Sequence, residues 1–137
     1  MVALLGAFGL GFVAGLRTFT APAALAFSRG PILTVIALLA ALFEYVMDTL
    51  PNTPSRTDPR GGLIPRIVSG GFCGWVIAAA WGGSAFAGAV AGIAGSLIGT
   101  YGGHAARLAA IARIGALPAA LVEDVVAIGL AAFIVTR

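Results

Sequence analysis

The stretch that decides the fold runs from residue 85 to residue 107 and reads AFAGAVAGIAGSLIGTYGGHAAR. It carries no Asp, Glu, Lys or Arg before its final residue. A helix of this length crosses the roughly 30 Å hydrocarbon core of a bilayer. Five of its six glycines fall on one face, at Gly88, Gly92, Gly95, Gly99 and Gly103. This spacing lets a second backbone approach closely, and Gly11 and Gly15 repeat it, so we predict a central, closely packed spanning helix.

The composition indicates an integral membrane protein. Hydrophobic residues make up 60% of the 137 residues, charged residues make up 9%, and the mean hydropathy is +1.05. A soluble domain would carry about a quarter charged residues. The eight arginines and five acids are too few and too dispersed for a nucleic-acid surface. We therefore expect one membrane domain over residues 1–137, surrounded by lipid, with no nucleic-acid partner.

Apolar windows of about 20 residues predict the spanning helices. The fold class we expect is an all-α, polytopic bundle of about five such helices, at 2–27, 32–50, 63–81, 85–107 and 118–136. Only residues 82–84 separate the third window from the fourth, so a four-helix arrangement with one long bent segment stays open. Pro22 leaves a carbonyl near residue 18 without its helical donor, which favours a kink or break there.

Seven ionisable residues lie inside or beside these windows: Arg17, Glu44, Asp48, His104, Arg107, Glu123 and Asp124. A charge in hydrocarbon costs roughly 2.5–3.5 kcal/mol on insertion scales, so such residues are candidates for a solute or ion pathway. We place Arg17 in the outer half of its helix and the others in the cytoplasmic half, with His104 as a candidate proton relay.

The acids offer two interpretations. Four carboxylates against two or three cations leave negative charge that a proton or cation would offset, and carboxylate oxygens also suit a divalent metal. The candidate metal ligands are Glu44, Asp48, Glu123 and Asp124. Alternatively the charges are structural pairs, with Arg17 beside Glu44 and Arg107 beside Glu123 or Asp124. Because Glu123 and Asp124 are adjacent on a helix, we expect one to face the cluster and the other the loop.

Residues 51–62 form the one long polar loop, because prolines and glycines block regular structure there. Its candidate functional residues, with the start of the next helix, are Arg56, Asp58, Arg60 and Arg66. Such loops are often functional, although a simple tether between helices is the alternative.

The arginines predict the orientation in the membrane. With five spans, one side holds Arg56, Arg60, Arg66, Arg107 and Arg113, and the other holds Arg29 and Arg137. The positive-inside rule then predicts a multi-pass protein of a bacterial inner membrane, with the N-terminus and the 51–66 loop in the cytoplasm and the C-terminus outside. A dual-topology dimer stays open. A 13.6 kDa bundle has little room for a wide path, so we expect a homodimer or other homo-oligomer.

Two classes of function fit this pattern. The first is a small transporter or channel with a cytoplasm-facing acidic site for a cation or proton. The second is a non-transporting membrane protein, either an assembly scaffold or a metal-assisted enzyme on lipid headgroups. Signatures such as HExxH, GxSxG and the P-loop are absent from the sequence, so an enzyme is the less favoured reading. No cofactor is assigned.

Several motifs resemble a family of bacterial membrane proteins, domain of unknown function 4126. They are Gly15-Leu16-Arg17-Thr18-Phe19 with Pro22, Glu44-xxx-Asp48-xx-Pro51, Arg66 before a glycine-rich helix, and Glu123-Asp124-Val125-Val126-Ala127. The chain is shorter than that pattern and has Thr49 where a lysine often follows the aspartate. The resemblance implies a polytopic membrane protein and supplies no activity.

Overall fold

The computed structural model describes residues 1–27, 29–48, 50 and 55–137, with the backbone alone at Asp48. Of these residues 86% are helical, and none of them lies in a strand. The helices are α1 (Val2–Leu16), α2 (Thr20–Phe27), α3 (Pro31–Asp48), α4 (Ile64–Ala80), α5 (Ala85–Ile114) and α6 (Ala116–Val135). One π-helical turn, Pro59–Leu63, leads into α4.

Within the described part of the chain, three helical segments are long and apolar enough to cross a membrane: Pro59–Ala80, Ala85–Ile114 and Ala116–Val135. The apolar segments Val2–Leu16 and Pro31–Met47 are shorter. Large hydrophobic side chains cover the outside of the bundle, among them Ile36, Phe86 and Val125. A surface of this kind is suited to lipid rather than water. The length, hydropathy and exterior of these helices together indicate a helical membrane protein.

The glycine-rich helix α5 packs against both α1 and α4, which also contact each other, and these three helices form the centre of the bundle. A Cβ atom on Gly95 or Gly99 would overlap the backbone of Phe8 or Phe12 in α1. On the α4 side, a Cβ atom on Gly92 would overlap the carbonyl of Gly70. The absence of side chains at these positions therefore lets three backbones pack directly against one another. Gly11 and Gly15 serve the same contact from α1, against Gly92 and against Ser96 to Thr100.

The predicted helix 2–27 consists of two helices, because the chain leaves helical geometry at Arg17 (φ −141°, ψ 117°). The apolar pattern continues through this point, so periodicity alone predicted one helix. Two groups outside the segment satisfy the broken backbone. Glu44 accepts hydrogen bonds from the N–H groups of Thr18 and Phe19, and Ser69 Oγ donates to the Thr18 carbonyl at 2.6 Å.

The break reverses the direction of the chain. Helix α1 runs parallel to α5, since Gly11 faces Gly92 and Leu16 faces Gly103. Helix α2 then runs back along α6, and α3 returns antiparallel to α2. We call the level of Leu16, Glu44 and Gly103 the site end of the bundle. Both termini point towards the other end, where Gly9 faces Ile134 and Ala3 faces Gly83, whereas five spans predicted termini on opposite sides.

The remaining boundaries differ from the predictions in smaller ways. Helices α4 and α5 are separate, and the tight turn between them uses Gly82 at φ +71°. Helix α5 continues seven residues beyond Arg107, because residues 105–114 contain no proline or glycine. It ends where Gly115 adopts φ +87°, a backbone conformation that favours glycine.

Candidate solute site

A buried glutamate joins three parts of the bundle at the site end. Glu44 Oε1 accepts from the Thr18 N–H at 2.7 Å, and its Oε2 accepts from the Phe19 N–H at 2.9 Å. Arg66 Nη2 lies 3.8 Å from Glu44 Oε1, and Arg66 Nη1 donates to the Gly62 carbonyl at 2.8 Å. Glu44 therefore holds α3 against the α1–α2 break and the start of α4.

The second buried pair joins α1 to α6. Arg17 Nε donates to Asp124 Oδ1 at 2.7 Å, and the Arg17 guanidinium lies 5.7 Å from the centre of the Tyr45 ring. The sequence interpretation paired Arg17 with Glu44. That pairing is absent from the contacts described, because the amides at the helix break occupy Glu44. Arg17 thus lies at the same level as the acids rather than in an opposite half of the membrane.

The third group places one carboxylate between two arginines. Arg56 Nη1 donates to Glu123 Oε1, and Arg56 Nη2 lies 3.4 Å from Oε2. Arg107 Nη1 donates to Glu123 Oε2 at 3.3 Å. Both Glu123 and Asp124 therefore face the cluster from different sides of α6, and it is Glu123 that reaches the loop, through Arg56.

Members of the first and third groups line a cavity of about 530 Å³ between α3, α4, α5 and the residues before α4, whereas Arg17, Glu123 and Asp124 lie outside its lining. Its charged and hydroxyl-bearing lining includes Glu44, Ser55, Arg56, Arg66, His104 and Arg107. Its apolar lining includes Phe43 and Met47 of α3 and Leu108 and Ile111 of α5. The cavity therefore combines charged groups with apolar side chains, which is the usual composition of a small-molecule site. We call the charged lining residues its floor and the apolar lining residues of α3 and α5 its walls.

Several predicted site residues lie elsewhere or outside the described part. The side chain of Asp48 is not among the described groups, and Thr49 and residues 51–54 also lie outside them. Asp58 accepts from the Arg60 N–H at 2.9 Å in an exposed turn. Asp58 therefore caps the π-helical turn that contains Arg60, and both residues are separate from the buried cluster.

The predicted metal site includes Asp48, whose side chain lies outside the described groups. Among the described residues, no group of three His, Cys, Asp or Glu side chains is close enough to hold a metal ion. Glu44, Glu123 and Asp124 instead accept hydrogen bonds from arginines or backbone amides. His104 lines the cavity and makes no hydrogen bond to any group in the described ranges.

Sequence reasoning grouped Arg56 and Arg66 with the loop, although both are buried in the cluster. It also gave no role to Ser69 or Tyr45, which bind the helix break and Arg17. The available signal was the set of three arginines in the polar loop and at the start of the next helix, Arg56, Arg60 and Arg66, since each could neutralise an acid. The partners of Arg66 and Arg56 are 22 and 67 residues away in sequence, so spacing could not assign them.

The fold and the site define a class of protein: a small helical membrane protein with buried ion pairs and a cavity that charged side chains line in part. Comparisons with protein-family models, curated proteins and solved structures find no match.

Proposed function

We propose that this chain is a small membrane transporter or channel whose solute binds in the cavity at the site end. The observation that carries the proposal is the position of the cavity, about 530 Å³ of space with a charged floor inside a bundle with an apolar exterior. Charged groups inside a membrane protein usually line the path of a solute or ion. A purely structural set of pairs would need no such space beside it.

The arrangement of the helices supports movement around this site. Helix α3 packs mainly against α2, and Glu44 fixes its end to the α1–α2 break. Broken helices inside membranes are tolerated where they line a cavity, and transporters commonly bind solutes beside them. In our proposal, α3 opens and closes one wall of the cavity.

The hydrogen bonds of the acidic residues give less support to a cation as the transported solute. Each described acid of the cluster already accepts from arginine or backbone N–H groups. A cation would have to displace those donors. A solute that binds the other N–H donors of Arg107 needs no such rearrangement.

The orientation, location and assembly are parts of the same proposal. We place the site end, with Arg56, Arg66 and Arg113, on the cytoplasmic side of a bacterial inner membrane, and both termini on the other side. In this proposal the first predicted span, 2–27, is a hairpin of α1 and α2, and the helices α3, α4, α5 and α6 each cross the membrane once. A homo-oligomer would enlarge the path. Membership of the family called domain of unknown function 4126 is also proposed, supported by the meeting of Arg17, Glu44 and Asp124 at one site.

The proposal is tested by recording currents from proteoliposomes on a solid-supported membrane after jumps in pH, cations and organic anions. We expect transient currents from the wild type, and their loss in Glu123→Gln protein that retains its helical circular dichroism. Arg113→Gln, an exposed charge change on α5, should keep the currents. The absence of current under every gradient, or equal currents from Glu123→Gln, would contradict transport.

A further inference from the structure

We infer that the solute is an anionic amphiphile, with its oxyanion group on Arg107 and His104 and its apolar chain between α3 and α5. This inference rests on the proposed function for the idea of transport, although binding can be tested separately. It is carried by two features of the same cavity: N–H donors of Arg107 that bind no group in the described part of the chain, and apolar side chains of α3 and α5 that line the space.

The floor has spare positive charge around Glu123. This single carboxylate is shared by Arg56 and Arg107, so the local group of three carries one surplus positive charge. The side chain of Arg107 is 24% exposed, against 8% for both Arg56 and Glu123, so Arg107 is the arginine that a ligand can reach. Arg66 belongs to the separate group around Glu44.

Arg107 also has N–H groups that could donate hydrogen bonds to a ligand. A guanidinium carries five N–H donors, and only Nη1 of Arg107 donates to a group in the described part of the chain. His104 lies one turn earlier on α5, lines the same cavity and makes no hydrogen bond within that part. Carboxylates and phosphates accept paired N–H donors from arginine in this way.

The walls suit a hydrocarbon chain. Phe43 and Met47 on α3 and Leu108 on α5 all line the cavity and remain 38–63% exposed. Since α3 packs mainly against α2, the space between the ends of α3 and α5 is occupied by the cavity rather than by helix contacts. An amphiphile could therefore enter sideways from the bilayer, while a small hydrophilic anion would leave these apolar walls in contact with water.

Binding can be measured with the full-length protein in dodecylmaltoside, using dodecyl phosphate as the probe and following thermal unfolding and native mass spectra. Inorganic phosphate, dodecanol and dodecyltrimethylammonium separate the contributions of the anion and the chain. We expect saturable stabilisation by dodecyl phosphate alone. Arg107→Gln should weaken its apparent affinity at least about tenfold, because a charged hydrogen bond is lost, while Arg113→Gln should leave it unchanged.

A second pair of variants tests the wall without touching the ion pairs. Phe43→Ala should weaken binding of dodecyl phosphate, whereas Phe86→Ala, an exposed change at the far end of α5, should not. Equal stabilisation of Arg107→Gln and Arg113→Gln, or no stabilisation of the wild type, would overturn the inference. Inorganic phosphate binding as tightly as dodecyl phosphate would overturn the amphiphile assignment.

The outcomes also separate this inference from the transport proposal. Site-specific binding without any current or exchange would support the ligand and contradict transport. Currents driven by other solutes, without binding of dodecyl phosphate, would support transport and contradict the ligand class.

Discussion

At the scale of single residues, Glu123 is the carboxylate on which two cations depend. Replacing it with glutamine leaves Arg56 and Arg107 buried or half-buried beside a neutral group. Breaking a buried ion pair typically costs about 3–5 kcal/mol, so Glu123→Gln should strongly lower the free energy of unfolding. Unfolding by sodium dodecyl sulfate in mixed micelles measures the change.

The matched control is the double variant Arg56→Gln, Glu123→Gln. Because it removes one charge of each sign, it should be less destabilised than the sum of the two single variants, by about 0.5–3 kcal/mol for interacting groups. Simple additivity of the two single effects would show that the contact between Arg56 and Glu123 contributes no coupling.

We expect a smaller loss of stability from a change at Glu44, because its main partners are backbone amides. Glu44→Gln keeps one acceptor oxygen but turns an NH₂ group towards N–H donors. We expect a loss of about 1–3 kcal/mol, the usual cost of a buried unsatisfied group, measured by the same unfolding assay. Asp58→Asn removes an equal charge from an exposed turn and should change stability by less than about 0.5 kcal/mol. Equal losses in both variants would contradict the role assigned to Glu44.

At the scale of the helices, the glycines of α5 differ in what they face. A Cβ atom on Gly99 would overlap the Phe12 carbonyl, whereas a Cβ atom on Gly102 would meet no atom within 4 Å. Gly99→Ala should therefore lower stability by about 1–3 kcal/mol through overpacking. Gly102→Ala should be neutral or stabilising by about 0.5–1 kcal/mol, because alanine favours the helix. If both variants unfolded alike, α5 would not be the central helix.

The helices also show which parts of the fold the sequence could predict. The windows 32–50 and 118–136 lie close to α3 and α6, because hydropathy and proline positions mark their ends. The window 2–27 could not reveal the hairpin of α1 and α2. Pro22 favoured a break near residue 18, but the groups that stabilise it, Glu44 and Ser69, lie 26 and 51 residues away from Thr18.

The same limit applies to the site. The cost of charge in hydrocarbon identified Arg17, Glu44, Arg107, Glu123 and Asp124, which all lie in the buried cluster. Their partners depend on how the helices meet, so the predicted pairing of Arg17 with Glu44 differs from the observed contact with Asp124. The excess of acids expected from the sequence also disappears locally, because Arg56 and Arg66 are buried beside them.

At the scale of the whole molecule, the hairpin of α1 and α2 brings the termini to the same end of the bundle. Reporter fusions to the N-terminus and the C-terminus should therefore report the same side of the membrane. A fusion within the turn between α5 and α6, after Arg113, should report the opposite side. Termini on opposite sides would contradict the hairpin and restore a single spanning helix over residues 2–27.

The central claim, that the cavity belongs to a solute path, is tested most directly by chemical access to Thr18, which lines the cavity. The variant Thr18→Cys in a Cys73→Ala background would be exposed to a membrane-impermeant thiol reagent in spheroplasts and in inverted vesicles. We expect labelling from both sides, because a transporter or channel opens the cavity to each in turn, while Ala127→Cys, fully buried in the core, stays unlabelled. Labelling of Thr18→Cys from one side alone, or from neither, would contradict the account.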